Sequence, residues 1–326
     1  MKLEDIGFYT LSENRAKSVN TTTPIMRAEI LLTDRCNLKC PYCRGMKNRG
    51  DLSLPYVQDI LSSFCKYGLV NVRFSGGEPT LYPQLKELVS SCINSGVKRI
   101  ALSTNGTASL KLYKDLIKSG VNDFSISLDS GCCATGDKMT GGIKESWSKS
   151  VEAIRYVSKY SYTTCGVVFN ELNYVEAENT IRFIDSLGVK DIRIIPSAQY
   201  NKALKNLASL PLSIKCKYPI LNYRINNLLK NRRFRGIKKS DCHKCWLALD
   251  DVAVSGKYQY PCIIYLREYG SPVGVMDKNF RQRRIEWLKQ HNTYEDNICR
   301  NNCLDVCVDY NNRVNHYKKG ATHDQN

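Results

Sequence analysis

Short apolar runs alternate with apolar residues at helical spacing from residue 28 to residue 196, and this alternation dominates the chain. Ala28–Thr33 (AEILLT) reads as a strand. Leu54, Val57, Ile60, Leu61 and Phe64 then share one helical face, behind Ser53 as N-cap and with Pro55 in the first turn. Further strands are predicted over Val70–Phe74, Arg99–Ser103, Asp123–Leu128, Thr163–Phe169 and Asp191–Ile195, the last closed by Pro196. Helices are predicted over Pro83–Asn94, Ser109–Lys118, Lys144–Lys159 and Val175–Leu187, with stops at Gly96, Gly120 and Gly188.

Strands that alternate with helices imply right-handed crossovers and a parallel sheet, either doubly wound or a complete or partial βα barrel. In each case ligands gather at the carboxyl ends of the strands. Those ends read Cys36–Cys43 (CNLKCPYC), Ser75–Thr80 (SGGEPT), Ser103–Gly106 (STNG) and Ser127–Ser130 (SLDS). Four polar, Gly-rich or Cys-rich loops thus belong on one face.

The pattern stops after Pro196. Residues 1–26, polar and Thr-rich, are expected to be a loosely ordered lead-in to a core over 27–198. A basic connector over 199–240 contains KNRRFRGIKK at Lys230–Lys239. Residues 241–312 hold Cys242, Cys245, Cys262, Cys299, Cys303 and Cys307, with a β-hairpin predicted around Ser255-Gly256-Lys257. A frayed polar tail is expected over 313–326.

Composition excludes some classes. With 42% hydrophobic and 10% aromatic residues, the 326-residue chain can bury a core and is not globally disordered. The net charge of +17 favours polyanionic or acidic partners, although basic AT-rich genomes give the same balance. Fifteen cysteines fall well short of the roughly 8–10% of a disulfide scaffold. The polar start MKLEDIGFYT has no secretory h-region, and no apolar run approaches the ~18 residues of a membrane span. A cytoplasmic protein with no membrane partner is expected, and clustered cysteines there read as metal ligands.

Cys36-x3-Cys40-x2-Cys43 places three thiols in one strand-end loop. Soft thiolates select zinc, Cu(I) or iron–sulfur clusters. A structural site wants four ligands, so three leave a position open for chemistry or for a distant zinc ligand.

With these motifs the sequence resembles the radical SAM superfamily. The three-cysteine loop, with Tyr42 before its last cysteine, follows the first strand as in that family. Gly76-Gly77-Glu78-Pro79 matches the second family signature. Ser103–Gly106, Ser127-Leu128-Asp129 and Asp137–Gly142 (DKMTGG) match the molybdenum-cofactor cyclase and peptide-maturase branches. The resemblance covers residues 28–197. It implies a partial (β/α)6 TIM-like barrel with a small Cys-rich C-terminal domain containing a β-hairpin.

It also implies that Cys36, Cys40 and Cys43 hold three irons of a [4Fe–4S] cluster, with S-adenosylmethionine (SAM) chelating the fourth. Reductive cleavage of SAM would give a 5′-deoxyadenosyl radical that abstracts hydrogen from substrate. Gly76 and Gly77 would let the backbone approach the methionine amino group, and Glu78 would accept from that ammonium. Asn105, Ser127 and Asp129 would contact the ribose or carboxylate. Tyr42 would lie along the adenine, and Arg193 is a further candidate. An electron donor such as flavodoxin or ferredoxin is implied.

Cys242-x2-Cys245, the hairpin and Cys262 resemble the opening of SPASM and twitch auxiliary-cluster domains, with one residue more before Cys262 than the SPASM spacing. Cys299-x3-Cys303-x3-Cys307 departs from the SPASM tail. Six cysteines exceed one four-ligand cluster and fall short of two. The simplest expectation is at least one auxiliary [4Fe–4S] cluster on four of the six, Cys245 and Cys262 among them. A second cluster with an open iron and a zinc knuckle remain alternatives. Cys132-Cys133 is either a hydrogen-atom donor or a pair of small loop residues. Cys65, Cys92, Cys165 and Cys216 read as packing residues.

Lys230, Arg232, Arg233, Arg235, Lys238 and Lys239 interleave with Phe234, and Arg281, Arg283 and Arg284 precede Trp287. Such runs suit phosphates and bases or an acidic peptide, or are solvated helix faces. No RRM or KH signature is present, and no leader-binding winged helix fits the lead-in. The expected substrate is a peptide or protein. A nucleotide or RNA is the alternative, and a non-catalytic iron–sulfur protein the third reading.

Overall fold

Period-two alternation sorts the strand side chains into two faces. In β1 (Arg27–Thr33), Ala28, Ile30 and Leu32 enter the main core. So do Val72 and Phe74 of β2 (Asn71–Gly76), Ile100 and Leu102 of β3 (Arg99–Thr104), and Phe124 and Ile126 of β4 (Asp123–Ser127). Cys165 and Val167 of β5 (Tyr162–Phe169) and Ile192 and Ile194 of β6 (Asp191–Pro196) complete the layer. Many of the alternate positions are polar and meet on the opposite face of the sheet. There Ser75 donates to Glu29 at 2.9 Å, and Arg73 reaches Ser103 at 3.0 Å and Asp123 at 3.4 Å.

The computed structural model describes residues 8–45, 50–196 and 206–323. The six strands run parallel in the order β6-β5-β4-β3-β2-β1. Their crossovers carry α2 (Leu54–Cys65), α3 (Leu85–Asn94), α4 (Leu110–Ser119), α5 (Cys133–Met139), α6 (Ser146–Val157) and α7 (Ala177–Ser186). Ser109 caps α4 through its side chain, and Gly120 ends that helix in the left-handed conformation. The short α5 was not predicted; only Gly136 and Met139 are buried in it, too few to show a period.

The hairpin joins this sheet. β7 (Asp251–Ser255) pairs parallel with β1, from Arg27 opposite Asp251 to Leu31 opposite Ser255. β8 (Tyr258–Tyr260) and β9 (Gly274–Val275) then extend the sheet antiparallel. The Cys-rich region therefore shares backbone hydrogen bonds with the barrel, and the ion pair of Arg27 with Asp251 reinforces the seam. No single helix of the described residues is long and apolar enough to cross a membrane.

Both ends of the chain differ from expectation. Residues 8–26 are packed, with Tyr9, Ala16 and Val19 fully buried beside Tyr310 and Val314. Arg15 of α1 (Glu13–Ser18) forms a buried ion pair with Asp250. The predicted polar tail continues a helix, Asp305–His323, that lies against α1. A narrow apolar stripe on each partner suffices because the two stripes bury each other.

Candidate functional site

The three-cysteine loop leaves β1 at its carboxyl end. Cys36 and Cys43 are exposed, Cys40 is half-buried, and all three thiols are free. Three neighbouring loops brace this segment. The Tyr42 hydroxyl donates to Asp129 beyond β4, whose other oxygen accepts the Val168 N–H at 2.7 Å. The Lys39 N–H donates to the Thr140 carbonyl at 3.1 Å. Gly141, at φ 86°, lies so close that a Cβ would sit 2.5 Å from the Lys39 carbonyl oxygen.

The third brace is the SGGEPT loop. A Cβ on Gly76 would lie 2.2 Å from the Thr33 carbonyl oxygen, and one on Gly77 would lie 2.2 Å from that of Arg35. The Gly77 and Glu78 N–H groups donate to those same carbonyls at 2.8 and 2.7 Å. The space these glycines spare is thus taken by the chain's own cysteine loop.

Glu78 is buried and acts as a tie. One oxygen accepts from the Thr80 N–H at 3.0 Å and from the Thr80 and Thr104 hydroxyls at 2.7 Å; the other accepts the Asn105 N–H at 2.8 Å. Asn105 reaches Asn37 in the cysteine loop at 2.9 Å. Ser127 stands exposed at the end of β4. Arg193 stacks over Phe8, 5.3 Å from its centroid. Burial, Arg73 and Arg27 lower its pKa to about 10.

Burial sets the electrostatics of the site. It pushes the Cys40 thiol up to about 12, with Asp129 adding to the rise, and raises Cys36 as well. Asp129 rises to about 6 by burial, against the pull of Tyr42 and the Val168 N–H. Burial also raises Glu78 despite its four donors. Such thiols stay protonated until a soft metal displaces the proton. Three free thiols on one braced loop, two of them exposed, fit a three-cysteine cluster with an open position.

The second group sorts itself. Cys245, Cys262, Cys299 and Cys303 each feel other thiols of the group, and Cys307 acts on Cys245, Cys262 and Cys303. Cys245 precedes α8 (Leu247–Asp250), Cys262 caps α9 (Ile263–Arg267), and Cys299 and Cys303 lie in and at the end of Asn297–Asn302. The Cys242 Sγ accepts the Lys244 N–H at 3.4 Å, with the charges of Lys319, Lys244 and Asp241 acting on it. Among the described residues, the group with three ligand atoms within 4.8 Å of one another is His291, Asp296 and Cys299.

Several basic residues prove structural. Arg284 is fully buried and donates to the carbonyls of Ala248, Tyr260 and Pro261 at 2.7, 2.9 and 3.2 Å. Arg281 donates to the Thr21 and Thr23 carbonyls at 3.2 and 3.1 Å. Arg283 pairs with Asp277 and Arg232 with Asp309. Cys132 and Cys133 are exposed, the latter 3.9 Å from Asp137. Cys92 and Cys165 are buried, whereas Cys216 is exposed and not a packing residue.

Residues 30–184 match the profile of the Radical SAM superfamily. The chain carries a radical SAM domain. It is 30% identical over 152 residues to a probable GTP 3′,8-cyclase of Methanococcus vannielii, covering 44% of this chain and 51% of that one. It is 27% identical over 201 residues to a PqqA peptide cyclase of Methylobacterium nodulans, covering 59% and 53%. The chain thus spans about half the length of these curated relatives. Among solved structures, Streptococcus suis SuiB bound to precursor peptide SuiA superposes with a TM-score of 0.59 at 16% identity, over 84% of this chain and 67% of that one. For anSMEcpe with bound AdoMet the TM-score is 0.58 at 16% identity, over 91% and 98%. The likeness of fold therefore extends past the matched segment.

Proposed function

We propose that this chain is a radical SAM enzyme that modifies a peptide or protein. The observation that carries the reading is the cysteine loop braced at the sheet's carboxyl edge by Tyr42–Asp129, Gly77 and Gly141. Cys36, Cys40 and Cys43 would ligate the cluster. Tyr42, Gly76, Gly77, Glu78, Asn105, Ser127 and Asp129 would form the rim for SAM. When bound, the cluster and SAM supply one-electron cleavage of the sulfonium and hydrogen abstraction from substrate. The chain's own part is orientation. Glu78 ties the ends of β2 and β3, and Asp129 ties the end of β4 to the cysteine loop.

An auxiliary [4Fe–4S] cluster would draw its ligands from Cys245, Cys262, Cys299, Cys303 and Cys307, with Cys242 excluded. An electron donor such as flavodoxin or ferredoxin and a cytoplasmic setting complete the proposal.

The peptide reading is supported by likeness over 84% and 91% of the chain to SuiB with its precursor peptide and to anSMEcpe with the Cp18Cys peptide. The nucleotide reading is favoured by the GTP 3′,8-cyclase relative, whose match covers 44% of the chain. Arg232, Arg281, Arg283 and Arg284 are committed to internal partners, which leaves Lys230, Arg233, Lys238 and Lys239 as the exposed charges of the basic runs.

The test is anaerobic iron and sulfide content with dithionite-driven 5′-deoxyadenosine formation. Wild type should hold about eight irons and a Cys36/Cys40/Cys43→Ala triple variant about four, with the nucleoside lost in the latter. Cys242→Ala should keep its iron and Cys262→Ala should lose the auxiliary share. Zinc in place of iron, or a loaded chain that forms no deoxyadenosine, overturns the proposal. Salt-sensitive binding of GTP or tRNA, without binding of peptides, overturns the substrate class.

A further inference from the structure

Glu268 lies where the two cysteine sites meet. It caps α9, the helix opened by Cys262, and its N–H donates to the Ile264 carbonyl at 2.9 Å. Its carboxylate receives two guanidinium groups. One belongs to Arg44, the residue after Cys43. The other belongs to Arg235, whose Nη1 is 3.4 Å from Oε1. Arg235 forms an antiparallel bridge with Leu304, and the Gly236 N–H donates to the Cys303 carbonyl at 2.9 Å. A single carboxylate, at the far end of the helix that Cys262 opens, thus joins the residue after Cys43 to the segment bridged beside Cys303.

The direction of this carboxylate is fixed by the chain around it. Tyr269 follows at φ 59°, a left-handed conformation unfavourable for a non-glycine residue, and the residue is 70% exposed. The turn is held by the Tyr269 N–H on the Leu266 carbonyl at 3.1 Å and the Gly270 N–H on the Tyr265 carbonyl at 2.9 Å. A Cβ on Gly270 would lie 2.2 Å from the Tyr265 ring, so the turn packs directly against that ring. The side chains of Glu268 and Arg235 are 17% and 11% exposed, which shields their attraction from bulk water. Burial and the neighbouring charge of Arg44 already lower the pKa of Arg235. Arg44 and Arg235 thus meet at the same carboxylate oxygen, Oε1 of Glu268.

We propose that Glu268 is a positioning residue that couples the Cys36–Cys40–Cys43 loop to the auxiliary cysteine group through Arg44 and Arg235. The proposal rests on the radical SAM reading above and adds a link between its two sites. Glu268 is not assigned to cofactor or substrate; it sets how the cysteine loop responds to the state of the auxiliary group.

The experiment uses the full reconstituted chain as wild type, Glu268→Ala, Cys262→Ala and the double variant. The readouts are iron content, deuterium exchange over residues 36–45, and the SAM-induced change in the electron paramagnetic resonance signal of the reduced cluster. With Glu268 present, Cys262→Ala should raise exchange over 36–45 at least threefold and alter the SAM-induced change. With Ala at 268, exchange should already be raised and Cys262→Ala should add nothing. Arg44→Met, which leaves Glu268 its partner Arg235, should reproduce the uncoupling even if Glu268→Ala folds poorly, and Glu268→Asp should restore part of it. Additive effects of the single variants, or no response over 36–45 to Cys262→Ala, overturn the coupling. A wild-type chain that takes up no iron overturns the radical SAM reading instead.

Discussion

Tyr42 donates its hydroxyl to Asp129 across 87 residues of sequence, and this bond fastens the cysteine loop to the end of β4. Tyr42 sits between Cys40 and Cys43, so the bond anchors the stretch of backbone that carries both thiols. Asp129 is buried, and its two oxygens are committed to Tyr42 and to the Val168 N–H. Tyr42→Phe should leave one buried carboxylate oxygen unpaired and lower stability by about 1–3 kcal/mol. Iron retention at the three-cysteine site should fall with it, read as iron released to a chelator over time. Unchanged melting and unchanged iron release would show that the bond does not hold the loop.

Gly77→Ala should be among the most damaging single methyls in the site. Its Cβ would meet the Arg35 carbonyl oxygen at 2.2 Å and carbon at 2.6 Å, both backbone atoms. One of the two loops must move, and the Gly77 and Glu78 hydrogen bonds to Thr33 and Arg35 would break with it. A loss of about 2–4 kcal/mol is expected in chemical denaturation, with iron lost from the three-cysteine site. Gly96→Ala is the control: at φ 76° with no atom within 4 Å, it should cost only about 1–2 kcal/mol and leave iron binding intact.

The parts of the fold carried by local period were legible in the sequence. The predicted strand Ala28–Thr33 differs from β1 by one residue, and the four strand-end loops converge as expected. What could not be read is pairing between distant segments. Nothing local states that Asp251–Ser255 will lie parallel to β1, because register is decided by which edge is free and which apolar faces match. The N-terminal segment and the last helix misled for a related reason. Each is polar overall, and Ala16, Val19, Tyr310 and Val314 gain meaning only when brought together. Charge was the least legible property. A run of arginines looks the same whether it faces solvent or, like Arg284, closes a set of buried carbonyls.

Arg284→Met should therefore act on stability rather than on ligand binding. The guanidinium serves the carbonyls of Ala248, Asp251, Tyr260 and Pro261 at the base of the hairpin. Removing it strands several buried acceptors, and a loss of about 3 kcal/mol or more is expected. Arg283→Met, one position away, should cost under about 1 kcal/mol, because Arg283 and its partner Asp277 are partly exposed. Equal melting shifts for the two variants would count against the buried role of Arg284.

Asp191 gives the fold a pH dependence of unusual sign for a carboxylate. It is fully buried in β6, and its oxygens accept the N–H groups of Ile192 at 2.7 Å and Ile220 at 3.4 Å. Burial outweighs those bonds and raises its pKa from 3.8 to about 6. Between those values the folded chain keeps a proton that the unfolded chain has released. The stability from this group is fully present below about pH 4 and declines as pH rises through about 6, by about 3 kcal/mol in all. Asp129, Glu78, Asp250 and Asp305 are raised in the same direction, so the total slope is shared. The difference between wild type and Asp191→Asn isolates the one residue. Urea denaturation of the metal-free chain should show that this difference changes by up to about 3 kcal/mol between about pH 4 and pH 7, with wild type relatively more stable at the acid end. Two curves that stay parallel across the window would mean that Asp191 titrates near its ordinary value in the folded chain, and that water reaches it.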